Sequence, residues 1–166
     1  MRKRLPAFAL AAAVIILDRL SKLWIQSEVS LYETRTVIPG LFDIVHTENR
    51  GMAFGLFSGG ESNIRSVLLV GVALVVLVVV VVMLWRMPSQ ASGGSRLMSA
   101  ALALVLGGAM GNLYDRAFRG SVTDFLDVYW GTWHWPAFNV ADSAISVGAI
   151  LLMLTLVTEK ERAKES

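Results

Sequence analysis

Residues 66–85 are 20 residues without a charge, dominated by valine and leucine. A run of that length matches the ~20 residues a helix needs to cross the hydrocarbon core of a bilayer. In lipid the backbone must satisfy its own polar groups, so this stretch is expected to be a membrane-spanning helix. The rest of the chain agrees: 55% of residues are hydrophobic, only 17% are charged, and the mean hydropathy is +0.59. That is too apolar for a soluble domain of 166 residues, and the chain reads as one integral membrane domain, residues 1–166. There is no cysteine, which excludes a disulfide framework and a thiolate metal site, and His46 and His134 are too few for a histidine-built one. The net charge of +2 is spread over loops and forms no nucleic-acid-like patch.

Three further segments have the length and polarity of spans. Residues 5–25 follow a basic start and on their own resemble a signal peptide. Asp18-Arg19-Leu20-Ser21-Lys22 offers no small-residue cleavage site, however, so an uncleaved first span is expected. Residues 97–114 are an uncharged third span in which Gly107 and Gly111 would let another helix approach closely. Residues 138–158 are the fourth. Between the first two spans, residues 27–63 are expected to form a β-rich insertion. Residues 34–38 and 41–47 are β-branched and partly alternating, with the turn signal Pro39-Gly40 between them. A polar linker, residues 58–63, and a short connection, residues 86–96, complete the framework. The expected fold class is therefore all-α membrane: four transmembrane helices with a small extracytoplasmic β-rich subdomain. Eight basic residues (Arg2, Lys3, Arg4, Arg86, Arg96, Lys160, Arg162, Lys164) fall in short segments on the terminus side. Four (Arg35, Arg50, Arg65, Arg119) fall on the other, so both termini are expected in the cytoplasm.

The chemistry concentrates in residues 120–149. Asp124 lies in a short aromatic-rich segment, and Asp142 about one turn inside the fourth span, where a bare carboxylate costs several kcal/mol. If Trp130-Gly131-Thr132-Trp133 folds back as a turn, both carboxyls meet near the outer membrane boundary, as proton-sharing acid/base chemistry requires. Simpler readings compete. Asn139 and Asp142 have helix-capping spacing, and Asp127 stands three residues from Asp124 with nothing in the pattern to separate the two. Asp18 and Lys22 are spaced i, i+4, as are Asn112 and Arg116, which suits a structural ion pair and a packing stripe as well as a site. Tyr129, Trp130, Trp133 and Trp135 fit an interfacial belt. The chain has no G-x-S-x-G, no cysteine nucleophile, no H-E-x-x-H and no Walker loop, which leaves carboxylates as the available catalytic groups. The rival classes are a proton-coupled transporter and a non-enzymatic scaffold. The transporter reading expects an internal repeat or a broken span, and neither is visible.

Five ordered motifs carry a resemblance over nearly the whole chain: Asp18-Arg19-Leu20-Ser21-Lys22, Asn49-Arg50-Gly51-Met52-Ala53-Phe54, Gly111-Asn112-Leu113-Tyr114-Asp115-Arg116, Val122-Thr123-Asp124-Phe125, and Phe138-Asn139-Val140-Ala141-Asp142-Ser143. Together they resemble the bacterial lipoprotein signal peptidase (signal peptidase II) family. The resemblance implies a metal-free, cofactor-free aspartic endopeptidase of the bacterial cytoplasmic (inner) membrane. It would remove the signal peptide of a prolipoprotein just before its diacylglyceryl-modified cysteine. It implies Asp124 and Asp142 as the catalytic pair in preference to Asp127, with Asp18, Lys22, Asn49, Asn112, Arg116 and Asn139 in supporting or substrate-binding positions. The expected partners are prolipoproteins and membrane lipid, with no nucleic acid, and a monomer is expected. Arg50 departs from the threonine common in that motif, which affects local loop contacts.

Overall fold

The structure, a computed structural model, describes residues 5–50, 62–87 and 93–165. Within them the order is α1 (Leu5–Glu28), β1 (Thr34–Ile38), β2 (Phe42–Asn49), α2 (Ser62–Arg86), α3 (Gly93–Arg119), β3 (Val122–Trp130), β4 (Trp133–His134) and α4 (Val140–Glu165). α3 is the central helix and packs against α1, α2 and α4. Glycines make this possible. A Cβ on Gly107 would lie 2.7 Å from the Ala11 carbonyl oxygen and 2.8 Å from Val14 Cβ, so α1 touches the α3 backbone as the small-residue spacing predicts. Gly108, on another face, takes the Ala141 carbonyl of α4 at equally close range. The core of this bundle is small and aliphatic: Ala7, Ala11, Val80, Leu84, Leu102, Ala103, Val105 and Leu106. In lipid such packing is held by dispersion and close backbone approach, since the tails are as apolar as leucine. Val80 and Leu84 are the part of α2 that joins this core; most of its other valines and leucines face outward, Leu68, Val72, Val75 and Val78 among them.

Among the described residues three helical segments are long and apolar enough to cross a membrane: Leu68–Arg86, Arg96–Arg119 and Val140–Thr158. α1 is not among them, because Asp18, Arg19 and Lys22 interrupt its apolar run. The helices outrun the apolar segments that predicted them. α3 continues to Arg119, five residues past the expected end of the span, and α4 takes in the charged tail as far as Glu165. Of the motif that begins at Asn49, the part after Arg50 lies outside the described residues, as do residues 58–61 of the expected linker 58–63 and residues 88–92 of the expected connection 86–96; the linker's last two residues belong to α2, and residues 93–96 of the connection to α3.

The expected hairpin is present: β1 and β2 pair antiparallel, Gly40 behind Pro39 takes φ 81, and β2 runs two residues further than expected, to Asn49. The aromatic-rich segment around Asp124 was expected only to fold back on itself. It is a nine-residue strand that completes a sheet of order β1-β2-β3-β4. Its fold-back turn is as expected, with Gly131 at φ 62 between β3 and β4. The β2–β3 register shifts between Ile44 and Thr47, where β2 carries one residue more than β3. This bulge puts Thr47 opposite Asp124 and Asn49 opposite Val122; an unbulged ladder would have put His46 opposite Asp124. The sheet is fastened to the helices through Ile25, Val29 and Phe125, all buried, and through Phe138, whose backbone pairs with Leu126 just before α4 begins.

Candidate active site

The amino end of α4 is built by a reciprocal cap. Asn139 precedes the helix, and its Oδ1 accepts the Asp142 N–H at 2.9 Å, while Asp142 Oδ2 accepts the Asn139 N–H at 3.3 Å. The capping reading of Asp142 is therefore realised. The cap leaves Oδ1 of Asp142 to accept a hydrogen bond from Asn112 Nδ2 on α3, at 2.7 Å. Asn139 reaches the other way, and its Nδ2 donates to Asp124 Oδ1 at 2.7 Å. One residue with 0% exposure thus hydrogen-bonds both acids.

Asp124 arrives from β3, at the level where the bulge brings Asn49 across the ladder to donate to its Oδ2 at 3.0 Å. Burial raises its pKa to about 6, and the charge of Asp142 adds to the rise. The hydrogen bonds from Asn49 and Asn139 and the charge of Lys22 work against it. Removing the Asn49 amide is accordingly expected to raise the Asp124 pKa further. Infrared titration of the Asp124 carboxyl in Asn49→Ala should find its midpoint at higher pH than in the parent, and a midpoint that stays put or moves down counts against this electrostatic account.

Asp127 is separated from Asp124 by strand geometry. Residues three apart on a strand point to opposite faces. Asp127 Oδ2 meets His134 Nδ1 at 2.8 Å in the hairpin, away from α4. Tyr129 stacks on His134, while Trp130, Trp133 and Trp135 are exposed, as a belt requires.

Beneath the two acids lies a buried ionic cluster. Lys22 Nζ, with no exposure, donates to Asp18 Oδ2 at 2.8 Å and Asn112 Oδ1 at 3.0 Å, and lies 2.7 Å from Asp115 Oδ2. Asp18 also accepts the Ala141 N–H at 2.9 Å, so an acid from α1 caps the first turn of α4. Gly111 makes room for it: a Cβ there would stand 2.6 Å from Asp18 Oδ2. Asp115 is shared with Arg19, whose Nη1 donates at 3.2 Å while its guanidinium lies over the Tyr114 ring. In the sequence Asp115 stood out only as a member of the motif that runs from Gly111 to Arg116. On a helix, adjacent residues point about 100° apart, and Arg116 points elsewhere. Its guanidinium lines a cavity of about 280 Å³ between α2, α3 and α4, together with Asn112 and Asp142. The remaining lining is apolar: Leu69, Val72, Ala73 and Val76 from α2, Val105 and Ala109 from α3, and Ile145 from α4. All eight residues singled out from the sequence as site residues therefore converge on one region. A 2.6 Å side-chain hydrogen bond from Gln26 to Thr123 ties α1 to β3; Gln26 carried no sequence signal, and Thr123 stood out only as a member of the motif around Asp124. Among the described residues no group of three or more His, Cys, Asp or Glu side chains could hold a metal ion.

The fold and this arrangement define a class, a helical membrane protein that gathers two carboxylates at the junction of a small sheet with its helix ends. The family described as Signal peptidase (SPase) II matches residues 10–158 of the chain. A lipoprotein signal peptidase of Solibacter usitatus (strain Ellin6076) is 46% identical over 160 residues, covering 96% of this chain and 95% of that protein. One from Pseudomonas aeruginosa (strain UCBPP-PA14) is 44% identical over 159 residues, covering 95% and 91%. A bacterial membrane enzyme solved by the in meso method at 2.3 Å resolution superposes with a TM-score of 0.81 at 27% identity, over 97% of this chain and 93% of that one. The chain belongs to the signal peptidase II family.

Proposed function

We propose that this protein is an aspartic endopeptidase that removes signal peptides from prolipoproteins, cleaving before the diacylglyceryl-modified cysteine, with Asp124 and Asp142 as its catalytic pair. The observation that carries the reading is the double hydrogen bond of Asn139, through its side chain to Asp124 and through its backbone to Asp142. It gives two carboxylates from different elements a common anchor, as a proton-sharing pair needs. In this reading the pair holds one proton, first on Asp124, whose pKa burial lifts to about 6. Asp142 takes a proton from water, Asp124 polarises the scissile carbonyl, and a tetrahedral intermediate forms without an acyl-enzyme. Asn49, Asn112 and Asn139 orient the carboxylates; Asp18 and Lys22 hold α4 and α3 together beneath them; Arg116 faces the substrate beside Asp142. The apolar walls of the cavity suit a signal helix or acyl chain arriving sideways from lipid, where each buried methylene contributes ~0.8 kcal/mol.

The same reading makes the chain one integral domain of the bacterial inner membrane, a monomer with four spans, in which α1 crosses as well. The charges of α1 do not count against this, because Lys22 and Asp18 are buried and paired with each other and with α3. The deciding experiment is a cleavage assay with purified protein. A diacylglyceryl-modified prolipoprotein should be cut, its unmodified precursor should not, and EDTA should leave the rate unchanged; chelator-sensitive turnover restored by zinc would overturn the mechanism. With cytoplasmic termini, a single cysteine at Thr132, in the exposed β3–β4 turn, should react with an impermeant maleimide on intact spheroplasts. One at Ser92 should react only after lysis, and the reverse pattern would refute the orientation.

A further inference from the structure

The face of β3 turned away from the two acids carries a second polar cluster that the acid chemistry leaves unused. Strand alternation puts Ser121 and Thr123 on that face, and register puts Glu48 of β2 directly opposite Thr123. Glu48 Oε2 accepts the Ser121 hydroxyl at 2.6 Å and Oε1 accepts the Thr123 hydroxyl at 3.0 Å. Thr123 Oγ1 also accepts from Gln26 Nε2 of α1. Two further groups face the same carboxylate. Arg119 at the end of α3 is 3.7 Å away, and His46 Nε2 is 3.6 Å away. The His46 ring is held from behind by a 2.7 Å contact between Nδ1 and the Val29 carbonyl. Arg119 of α3, His46 of β2 and the hydroxyls at the start of β3 therefore meet at the Glu48 side chain, α1 joins through Gln26 on Thr123, and Thr123 immediately precedes Asp124.

We infer that Glu48 is a positioning residue for Asp124: its carboxylate clamps Ser121 and Thr123 and so sets where the following acid stands relative to Asp142. Burial alone would raise the Glu48 pKa, but the hydrogen bonds from Ser121 and Thr123 and the charge of Arg119 hold it below the ordinary carboxylate value. The clamp is thus charged through the neutral range, and charged acceptors make the shorter, stronger hydrogen bonds. The hydroxyls it satisfies are buried, Thr123 fully, so removing the acceptor strands two donors and loosens the start of β3. Asp124 is faced by Asn49 from β2, Asn139 just ahead of α4, Asp142 from α4, Lys22 from α1 and the charge of Arg116 from α3. A displaced strand lengthens the hydrogen bonds that Asn49 Nδ2 and Asn139 Nδ2 donate to Asp124, which favour its ionised form.

This inference rests on Asp124 being catalytic, and the test separates the two. Glu48→Ala, Glu48→Gln and Asp124→Asn are compared in detergent for folded fraction, kcat, KM and the pH–rate profile. Glu48→Ala should lose kcat on the order of 10- to 100-fold with KM within about twofold, the scale expected for a misplaced reacting group. Its upper pH limb should move to higher pH. Glu48→Gln, which keeps an acceptor, should recover most of both effects. Thr123→Val, which removes one hydroxyl at nearly constant volume, should reproduce the kcat loss in a milder form and serves if Glu48→Ala does not fold. Parental kcat and pH limb in folded Glu48→Ala, or in Thr123→Val where that variant replaces it, with Asp124→Asn inactive, overturn the positioning role. Equal losses in the Ala and Gln variants overturn the clamp. An active Asp124→Asn refutes the dyad and the role of Glu48 with it.

Discussion

Asp124→Asn and Asp142→Asn are each expected to lower the cleavage rate by at least about 10²- to 10⁴-fold, the range for a positioned proton donor or acceptor, while the protein stays inserted and folded. An amide keeps the shape of the carboxyl and can still take part in the hydrogen bonds from Asn139 and Asn112, but it can neither hold nor accept the shared proton. The raised pKa of Asp124 sets the direction in which this group makes stability depend on pH. The folded state binds that proton more tightly than the unfolded chain, whose carboxyl titrates near 3.8, so this group's contribution is fully present below that value. It is lost as the pH rises through about 6. Above pH 6 the fold carries a buried charge that it disfavours, and Asp124→Asn should be no less heat-stable there than its parent. Asp127→Asn, in the hairpin with His134, should keep substantial activity. Inactivation by Asp127→Asn with an active Asp124→Asn would reverse the assignment.

Lys22→Met should be the most damaging substitution for stability. The ammonium is fully buried between Asp18, Asp115 and Asn112, and removing it leaves the Asp18 carboxylate with the Ala141 N–H as its remaining hydrogen-bond donor among the described residues. Breaking a buried pair on one side costs about 3–5 kcal/mol, because the remaining charge stays in a low dielectric without compensation. Asp115 retains Arg19, so the deficit falls mainly on Asp18. The double variant Lys22→Met, Asp18→Asn should therefore recover part of the loss, since a neutral amide oxygen can still accept the α4 amide. Thermal unfolding in detergent measures both. A single variant as stable as the parent would mean that the cluster is hydrated or neutral and that the buried-pair account is wrong.

Much of this architecture was legible because lipid is a demanding solvent. An uncharged run of 20 residues has little choice but a helix, and α2 lies where residues 66–85 placed it. Gly107 and Gly111 announced a close helix approach, and Pro39-Gly40 a turn, because few other residues permit those backbone paths. The site residues could be picked out for the same reason: Asp18, Lys22, Asn112, Arg116 and Asp142 are polar groups in segments where polarity is costly.

The tertiary structure alone decided how those groups are shared. The spacing of Asp18 and Lys22 gave an i, i+4 pair, but only packing showed that Asp18 also caps α4 and that Lys22 has a third partner in Asp115. The capping and site readings of Asp142 competed in the sequence and coexist in space, since its two oxygens serve different neighbours. Asp124 and Asp127 were indistinguishable as letters, because alternation has meaning only once the segment is known to be a strand. That strand pairs with β2, more than 70 residues away, through a bulge that brings Asn49 within hydrogen-bond reach of one acid and sets Glu48 opposite Thr123. Solvent fixes where a residue is costly, and the sequence records that; which partner offsets the cost is set by long-range register and helix contact, which no local pattern encodes.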